Sequence, residues 1–413
     1  MNITQEVLKQ LKKIPHKPGL SYLLEGEDRL IEHIKSIAIV GAFADKLNFK
    51  YENYLKKNNK NFKSFKEIDA TLKKEWRTFD CILIGSITRY AHYKKALLEI
   101  GVPRTLIAQP EEICQLSANF YSPDNSLPSW PNNEQSFEEK INWLTVNESM
   151  LSQAYYLIEP CSRQIFIDKI TTYLRPNCIN IFKDFIRNHS SPYKTLGSVP
   201  LNGDRPSYGV ENFFYFYNDV INIYDNCVYV DIGAHVGDSL DAFLKRCSVL
   251  GLNYKHIFCF EPDKLSFDEL LKNSKGLSNI TLSMSAVLEE ISMTGYNPVG
   301  TGGGSIIQNA TVEIDQLIQA GPLSKSIADS RVDLIKWDTP GPGIAMKVFA
   351  GCESTIASHN PDLIIGAYHN VNDIFQIPIR LKEISNDYKI YLRHNSWLYT
   401  ETCYYCIFGG TNK

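Results

Sequence analysis

The chemistry-bearing residues of this chain gather in its C-terminal half, at the ends of short apolar runs. Asp231, Gly233 and Gly237 close the run beginning at Val228, in the order Asp-x-Gly-x-x-x-Gly, and Asp238 follows directly. Glu261 and Pro262 close a second run, HIFCFEPD. Lys336 and Asp338 lie at the end of VDLIKWD, and His369 at the end of LIIGAYH. Singly these are ordinary residues: turn glycines, a helix N-terminal acid, a capping histidine. Their ordered repetition, strand then polar tip then helix, is what points to a site, because open α/β sheets bind ligands beyond the carboxyl ends of their strands.

The residue types narrow the ligand. Gly233 and Gly237 let the backbone turn tightly and lie against a ligand without a Cβ in the way. Asp231 at a strand tip can hold an ammonium group, directly or through water. An acid at the tip of the second strand, here Glu261, accepts hydrogen bonds from ribose hydroxyls. A nucleotide diphosphate would instead call for Gly-x-Gly-x-x-Gly, whose amides and helix N-terminus receive phosphate. That pattern is absent, and Asp231 would repel a pyrophosphate. An ammonium, a ribose and no phosphate describe S-adenosylmethionine. Asp231, Gly233, Ala234, Gly237, Asp238, Glu261 and Pro262 are therefore the expected cofactor residues. NITLSMSAV (279–287) reads as a third strand whose Ser285 and Ala286 would border the adenine.

Methyl transfer from a sulfonium is an in-line displacement. It needs an aligned acceptor, and a hydroxyl acceptor needs something to take its proton. His369 is the expected base, since an unperturbed imidazole titrates near working pH. Asp338 shares its crevice. Lys336, two residues before Asp338 and so on the same strand face, is expected to pair with Asp338 or to steady an anionic acceptor. No metal cluster is apparent.

These positions demand an α/β fold, and the chain alternates strand-like and helix-like segments. The 413 residues divide into three expected sections. Residues 1–113 form a small Rossmann-like α/β domain. Residues 114–220 form a turn-rich connector and helical bridge. Residues 221–413 form the cofactor domain. In the last, Leu240, Phe243, Leu244 and Cys247 mark one apolar helix face. The first section has only Gly41 where a dinucleotide turn needs several glycines, so it is expected to serve docking or to grip a nucleotide sugar. The basic run from Lys46 to Arg77 reads as a solvated helical face. Gly300–Ser305 lacks the Lys-Ser/Thr of a phosphate loop and reads as a hairpin tip.

A net charge of −3 sets up no basic field for nucleic acid or an anionic membrane. Met1–Pro15 has no apolar signal core, and no apolar run is long enough to span a bilayer. The scattered cysteines read as reduced thiols, so a cytoplasmic protein is expected. Cys403 and Cys406 lie three apart in a strand-like run and should point to opposite faces. Whether the chain forms a homo-oligomer is left open.

The C-terminal section resembles the FkbM-type methyltransferase family. VYVDIGAHVGDSLDAF is similar to its first motif and IFCFEPD to its second. VDLIKWDTPG is similar to its fourth-strand motif, and PDLIIGAYHN and YKIYLRHNSWLYTETCYYCIF to its closing segments. The resemblance implies a class I methyltransferase sheet, mostly parallel with an antiparallel strand near the C-terminus. It also implies an acceptor hydroxyl on a small molecule, sugar or glycan precursor. Where the family carries Lys-x-Asp-x-Glu-Gly, this chain has Pro340 for the Glu. Gly366-Ala367-Tyr368 precedes His369 where an acid is usual.

Overall fold

The computed structural model describes residues 2–12, 35–40, 61–65, 67–84, 90–103, 106–107, 137–174, 185, 188–189, 214–216, 218–298, 304–307, 316–327, 330–339, 343–395 and 401–409. Gly41, the turn-rich connector, the tip at 299–303 and Pro340–Pro342 lie outside them.

The chain opens with a helix, α1 (Ile3–Lys12). Strands β1 (Ser36–Val40), β2 (Asn61–Phe65) and β3 (Cys81–Ile84) then form a parallel sheet in the order β2-β1-β3. Helices α2 (Ala70–Glu75) and α3 (Tyr90–Glu99) accompany it. The Asp69 side chain caps α2 by accepting from the Leu72 amide at 2.8 Å, meeting one of the four amides a helix start leaves unpaired. Ile37, Ile39, Phe65, Leu72, Trp76 and Leu97 close a separate small core. β2 falls inside the basic run expected to be helical. Phe65 at its end is buried in that core, and tertiary packing has outweighed the lysine-rich composition around it.

Three helices follow: α4 (Phe137–Val146), α5 (Glu148–Leu157) and α6 (Arg163–Leu174). The remainder builds the large sheet. Its strands are β4 (Cys227–Ile232), β5 (Tyr254–Phe260), β6 (Ile280–Ser283), β11 (Leu334–Trp337), β12 (Asp362–Gly366), β13 (Tyr388–His394) and β14 (Thr402–Phe408). Their order is β13-β14-β12-β11-β4-β5-β6. All neighbours are parallel except those of β14, which runs antiparallel to both β12 and β13. This is the class I methyltransferase arrangement. Helices α7 (Asp238–Leu250), α8 (Lys264–Asn273), α10 (Ile344–His359) and α11 (Asp373–Ile384) connect the strands.

A second, four-stranded sheet interrupts the series. It runs β7 (Ser285–Val287), β10 (Gln316–Gly321), β8 (Ser292–Pro298), β9 (Gly304–Ile307), with the short helix α9 (Leu323–Ser326) after it. The expected single strand over 279–287 is thus two strands. β6 pairs with β5, and β7 leaves the main sheet to pair with β10. β8 and β9 pair antiparallel with Pro298 opposite Gly304, the strand geometry the glycine run was expected to join.

The core does not follow the three sections read from sequence. Ile3, Val7 and Leu11 of α1 share one buried cluster with Leu151 and Phe166 of α5 and α6 and with Ile335, Trp337 and Ile365 of the large sheet. Residues 137–174 are therefore a layer of the main core and not a bridge between cores. Cys403 joins the cluster on one face of the sheet and Cys406 the cluster on the other, as their spacing in a strand requires.

Close packing fixes the link between the two sheets. In α10, a Cβ added at Gly351 would lie 2.7 Å from the carbonyl carbon and oxygen of Leu288, just past β7. In an open helix alanine is better than glycine by about 1 kcal/mol. Here the obstruction is backbone and cannot swing aside. Gly351→Ala should therefore destabilise, by about 1–3 kcal/mol. Urea unfolding checks the sign.

Candidate active site

The polar tips of β4, β5, β11 and β12 converge as the sequence order demands. After β4 the chain turns through Gly233 (φ 73°), His235 (φ 49°) and Gly237 (φ 89°) before α7 begins. Gly233 is obligatory, since a Cβ there would stand 2.4 Å from the Asp338 carbonyl oxygen. The Gly233 and Ala234 amides both donate to the Phe260 carbonyl, at 2.9 and 3.0 Å, which ties the turn to the end of β5. Asp238 opens α7, and its Oδ1 accepts from the Ser239 amide at 3.0 Å.

Asp231 and Lys336 are partners. They stand in register on adjacent strands, and Lys336 Nζ donates to Asp231 Oδ1 at 3.0 Å. Nζ also donates to the Gly233 carbonyl at 3.1 Å and to Ser239 Oγ at 3.2 Å, while Ser239 Oγ donates to Asp231 Oδ2 at 2.6 Å. Both side chains are buried. Burial works against the lysine's charge, but the Asp231 carboxylate, with Asp338 and Asp238 beyond it, holds the ammonium above its ordinary value. The expected Lys336–Asp338 pairing is thus replaced by Lys336–Asp231. The expected contact of Asp231 with a ligand ammonium meets a carboxylate whose two oxygens already accept from Lys336 and Ser239. Asp231 instead anchors the turn that bears Gly233.

Glu261 is buried beneath the same turn. Its Oε2 accepts from the His235 amide and its Oε1 from the Asp263 amide, both at 2.8 Å. Burial pushes its carboxyl up to about 7, against the pull of these two amides. Pro262 sits between Glu261 and Asp263, which caps α8 by accepting from the Ser266 amide at 2.8 Å. Ser285 and Ala286 lie on β7, which Met284 alone separates from the end of β6. Ser285 Oγ is 2.8 Å from Ser283 Oγ, and Ala286 is buried in the core of the small sheet.

A second cluster stands at the tips of β11 and β12. His369 Nε2 and Asp338 Oδ1 are 2.6 Å apart. Tyr368 and Tyr215 both donate to Asp338 Oδ2, at 2.6 and 3.0 Å. Burial opposes the Asp338 charge, but His369, then Lys336 and Tyr368, outweigh it and hold the carboxyl below its usual range. Tyr368 Oη also lies 2.9 Å from Glu401 Oε1. A Cβ at Gly366 would meet Asp338 Oδ1 at 2.6 Å, so the missing side chain there is a condition of where the carboxylate sits. The dyad leaves His369 Nδ1 as the ring nitrogen able to accept a proton, with Asp338 fixing the imidazole's orientation.

The structure brings His369 and Asp338 together and sets Lys336 against Asp231; sequence reasoning did not single out Ser239, Tyr215, Tyr368 and Glu401. Ser239 was legible as the second residue of the helix that follows the glycines. Tyr215 and Glu401 come from outside the strand-tip pattern, and no periodicity marks them. Among the described residues, no group of three His, Cys, Asp or Glu side chains is placed to hold a metal ion, and no helix is long and apolar enough to cross a membrane.

Solved structures resemble this chain in fold. The crystal structure of the methyltransferase FkbM from Methylobacillus flagellatus KT aligns over 98% of this chain and 99% of that one, with a TM-score of 0.55 and 16% identity. The two share one fold over nearly their whole lengths. Fibrillarin from Aeropyrum pernix, with natively bound S-adenosyl-L-methionine, aligns over 48% of this chain and 76% of its own at a TM-score of 0.32 and 10% identity. An rRNA methylase from Streptococcus thermophilus aligns over 49% and 96% at 0.28 and 13%. No family model and no curated protein matches the chain.

The Lys336–Asp231 pair yields a stability test. Removing one partner leaves an uncompensated buried charge, which costs about 3–5 kcal/mol. Lys336→Met should lower unfolding free energy by that amount, and adding Asp231→Asn should recover part of it. A strictly additive double mutant would contradict the pairing.

Proposed function

We propose that this chain is an S-adenosylmethionine-dependent O-methyltransferase acting on a hydroxyl of a sugar or cell-surface glycan precursor. The observation that carries the reading is the Asp338–His369 dyad standing at the strand tips beside the Gly233–Gly237 turn. A carboxylate-oriented imidazole is the equipment for accepting a hydroxyl proton. The sugar acceptor rests on the family resemblance, because acceptor pockets in such folds come from variable loops.

The residues present fit the cofactor. Gly233 and Gly237 present bare backbone, and Glu261 offers a desolvated carboxylate that gains from hydroxyl donors. A vicinal ribose diol supplies such donors, whereas a diphosphate does not. Gly233, Ala234, Gly237, Asp238, Glu261 and Pro262 would line it, with Ser285 and Ala286 towards the base. Bound there, the cofactor supplies an electrophilic methyl group on a sulfonium. The chain's own part is orientation and proton transfer. Asp338 accepts from His369 Nε2 and directs Nδ1 outward, and Nδ1 takes the acceptor's proton as its oxygen becomes nucleophilic. His369, with Lys336 and the Tyr368 hydroxyl, favours the ionised Asp338, and that carboxylate stabilises the imidazolium that results.

A second reading draws on Pro340, Gly343 and Gly366, which stand where the resembling family carries acids, and on the full burial of Asp231 against Lys336 and Ser239. On that reading the domain keeps the fold as a binding or scaffold module and transfers nothing. Turnover separates the two. On the first reading, His369→Ala lowers methyl transfer to a panel of sugar acceptors by roughly 10²–10⁴-fold, read by intact mass, and leaves cofactor binding in calorimetry unchanged. No binding heat with either S-adenosylmethionine or S-adenosylhomocysteine would sink both the cofactor assignment and the function.

Glu261 adds a pH signature. As carboxylate it accepts from ribose hydroxyls, so cofactor affinity should fall as pH drops through about 7. The ligand-free protein should respond with the opposite sign. The folded state holds this proton where the unfolded state has released it, so stability declines as pH rises from the ordinary carboxylate range to about 7. Glu261→Gln should flatten both trends, measured by calorimetry and thermal unfolding across pH.

A further inference from the structure

We infer that the segment bearing His369 is a proton-held latch: Asp373 keeps a proton while the start of α11 is packed, and mildly alkaline solution loosens the segment by withdrawing it. The observation is a carboxyl with nothing to bond. Asp373 is the first residue of α11, is only 1% exposed, and is followed by Ile374 and Phe375 of the main core. Neither of its side-chain oxygens has a hydrogen-bond partner among the described residues. An isolated carboxylate in such a place is strongly unfavourable, and a group so placed takes up a proton instead. The inference goes beyond the proposed function, since the segment carries His369 whatever the imidazole serves.

The surroundings agree. The titratable groups that feel a charge on Asp373 are the phenols of Tyr173 on α6 and Tyr404 on β14. Both are neutral at ordinary pH and supply no counter-charge. Lys169 Nζ lies over the Tyr173 ring, 5.4 Å from its centroid, but the charges it answers to are Cys403 and Glu401. On α5 the Glu148 carboxylate is engaged with the Ile3 and Thr4 amides, and on α10 Glu353 pairs with Arg380. Burial pushes the Asp373 carboxyl up to about 8, and the Asn370 backbone draws it back only in part.

The segment from Ala367 to Ile374 is pinned from three sides. Tyr173 Oη donates to the Ala367 carbonyl at 3.3 Å, Trp143 Nε1 of α4 to Asn372 Oδ1 at 3.0 Å, and Tyr404 Oη to the Ile374 carbonyl. None of these pins changes charge near neutral pH, whereas Asp373 does. In an opened segment its carboxyl returns to the ordinary range near ~4. Between that range and about 8 the packed form holds a proton that the opened form has released. Each pH unit in that window therefore favours opening by about tenfold, and the effect levels off above it. Opening carries the imidazole of His369 away from Asp338.

Hydrogen exchange of the full chain, read by mass spectrometry on peptides, tests this without any substrate. Wild type is compared with Asp373→Asn at each pH, so the intrinsic pH dependence of exchange cancels. Asparagine fills the same volume and cannot ionise. Glu261 is present in both proteins, so its own pH response cancels too. In peptides covering 367–374, the opening constant of wild type relative to Asp373→Asn should rise about tenfold per pH unit between pH 5 and 8. A ratio that does not change with pH overturns the inference. A ratio that rises equally in every peptide also overturns it, since the acid would then load the whole core and not this segment. Asp373→Leu, likewise neutral, should behave as Asp373→Asn does and serves the same comparison if the asparagine variant does not fold. If neither neutral variant folds, the carboxyl makes a contact that a neutral group cannot replace, and the inference fails. No methyl transfer is measured, so the latch can fail while the proposed function stands, and the reverse.

Discussion

The ion pair between Lys336 and Asp231 is the constraint on which the site hangs. It sits between two central strands of the large sheet, fully enclosed, and each partner is the other's main counter-charge. A buried charge left alone is strongly unfavourable, so register, rotamer and turn conformation are bound to one another. The lysine reaches past the carboxylate to the Gly233 carbonyl and to Ser239, and thereby specifies the course of the turn into α7. Such pairs contribute more to specificity of arrangement than to net stability. Here the arrangement specified is the floor of the candidate cofactor site.

From that floor the rest follows by contact. The Gly233 turn is pressed against the Asp338 backbone so tightly that no side chain fits between them. Asp338 in turn presses on Gly366. The cofactor side and the acceptor side therefore share a wall one residue thick. Electrostatics divides the labour across it. One carboxylate is spent on a lysine, one is shared among an imidazole and two phenols, and one, Glu261, is buried with only two amides for company. Burial raises Asp231 and Glu261, whereas His369 and Lys336 hold Asp338 down: the acids of one crevice differ because their neighbours differ, not their chemistry.

Much of this was legible in the sequence, and the reason is local. The strand, glycine turn and helix around Asp231, the acid at Glu261, and the placing of Asp338 and His369 at strand ends facing one crevice rest on local pattern, where period-two alternation and turn residues carry the information. Their sheet order agrees with the family resemblance. What escaped was non-local. Lys336 was assigned to the carboxylate two residues away because sequence distance was the only distance available, whereas in space its neighbour is one strand over. The break between β6 and β7 was invisible, since both halves have strand-like composition and only the competing partner β10 separates them. Tyr215 and Glu401 reach the site from segments with no site-like pattern. The placement of α1 and α4–α6 in the main core was hidden for the same reason.

That last placement bears on how the molecule is made. Ile3, Val7 and Leu11 of α1 emerge from synthesis long before β14, yet β14 contributes Tyr404 and Cys406 to the core they enter. At about 5–20 residues per second of synthesis, α1 waits through most of the chain's translation, tens of seconds, with an apolar face and no finished surface to receive it. The small sheet of β1–β3, with its separate core, can close during that interval. The helix α1 and the strand β14, far apart along the chain, thus meet only after the segments between them have been made.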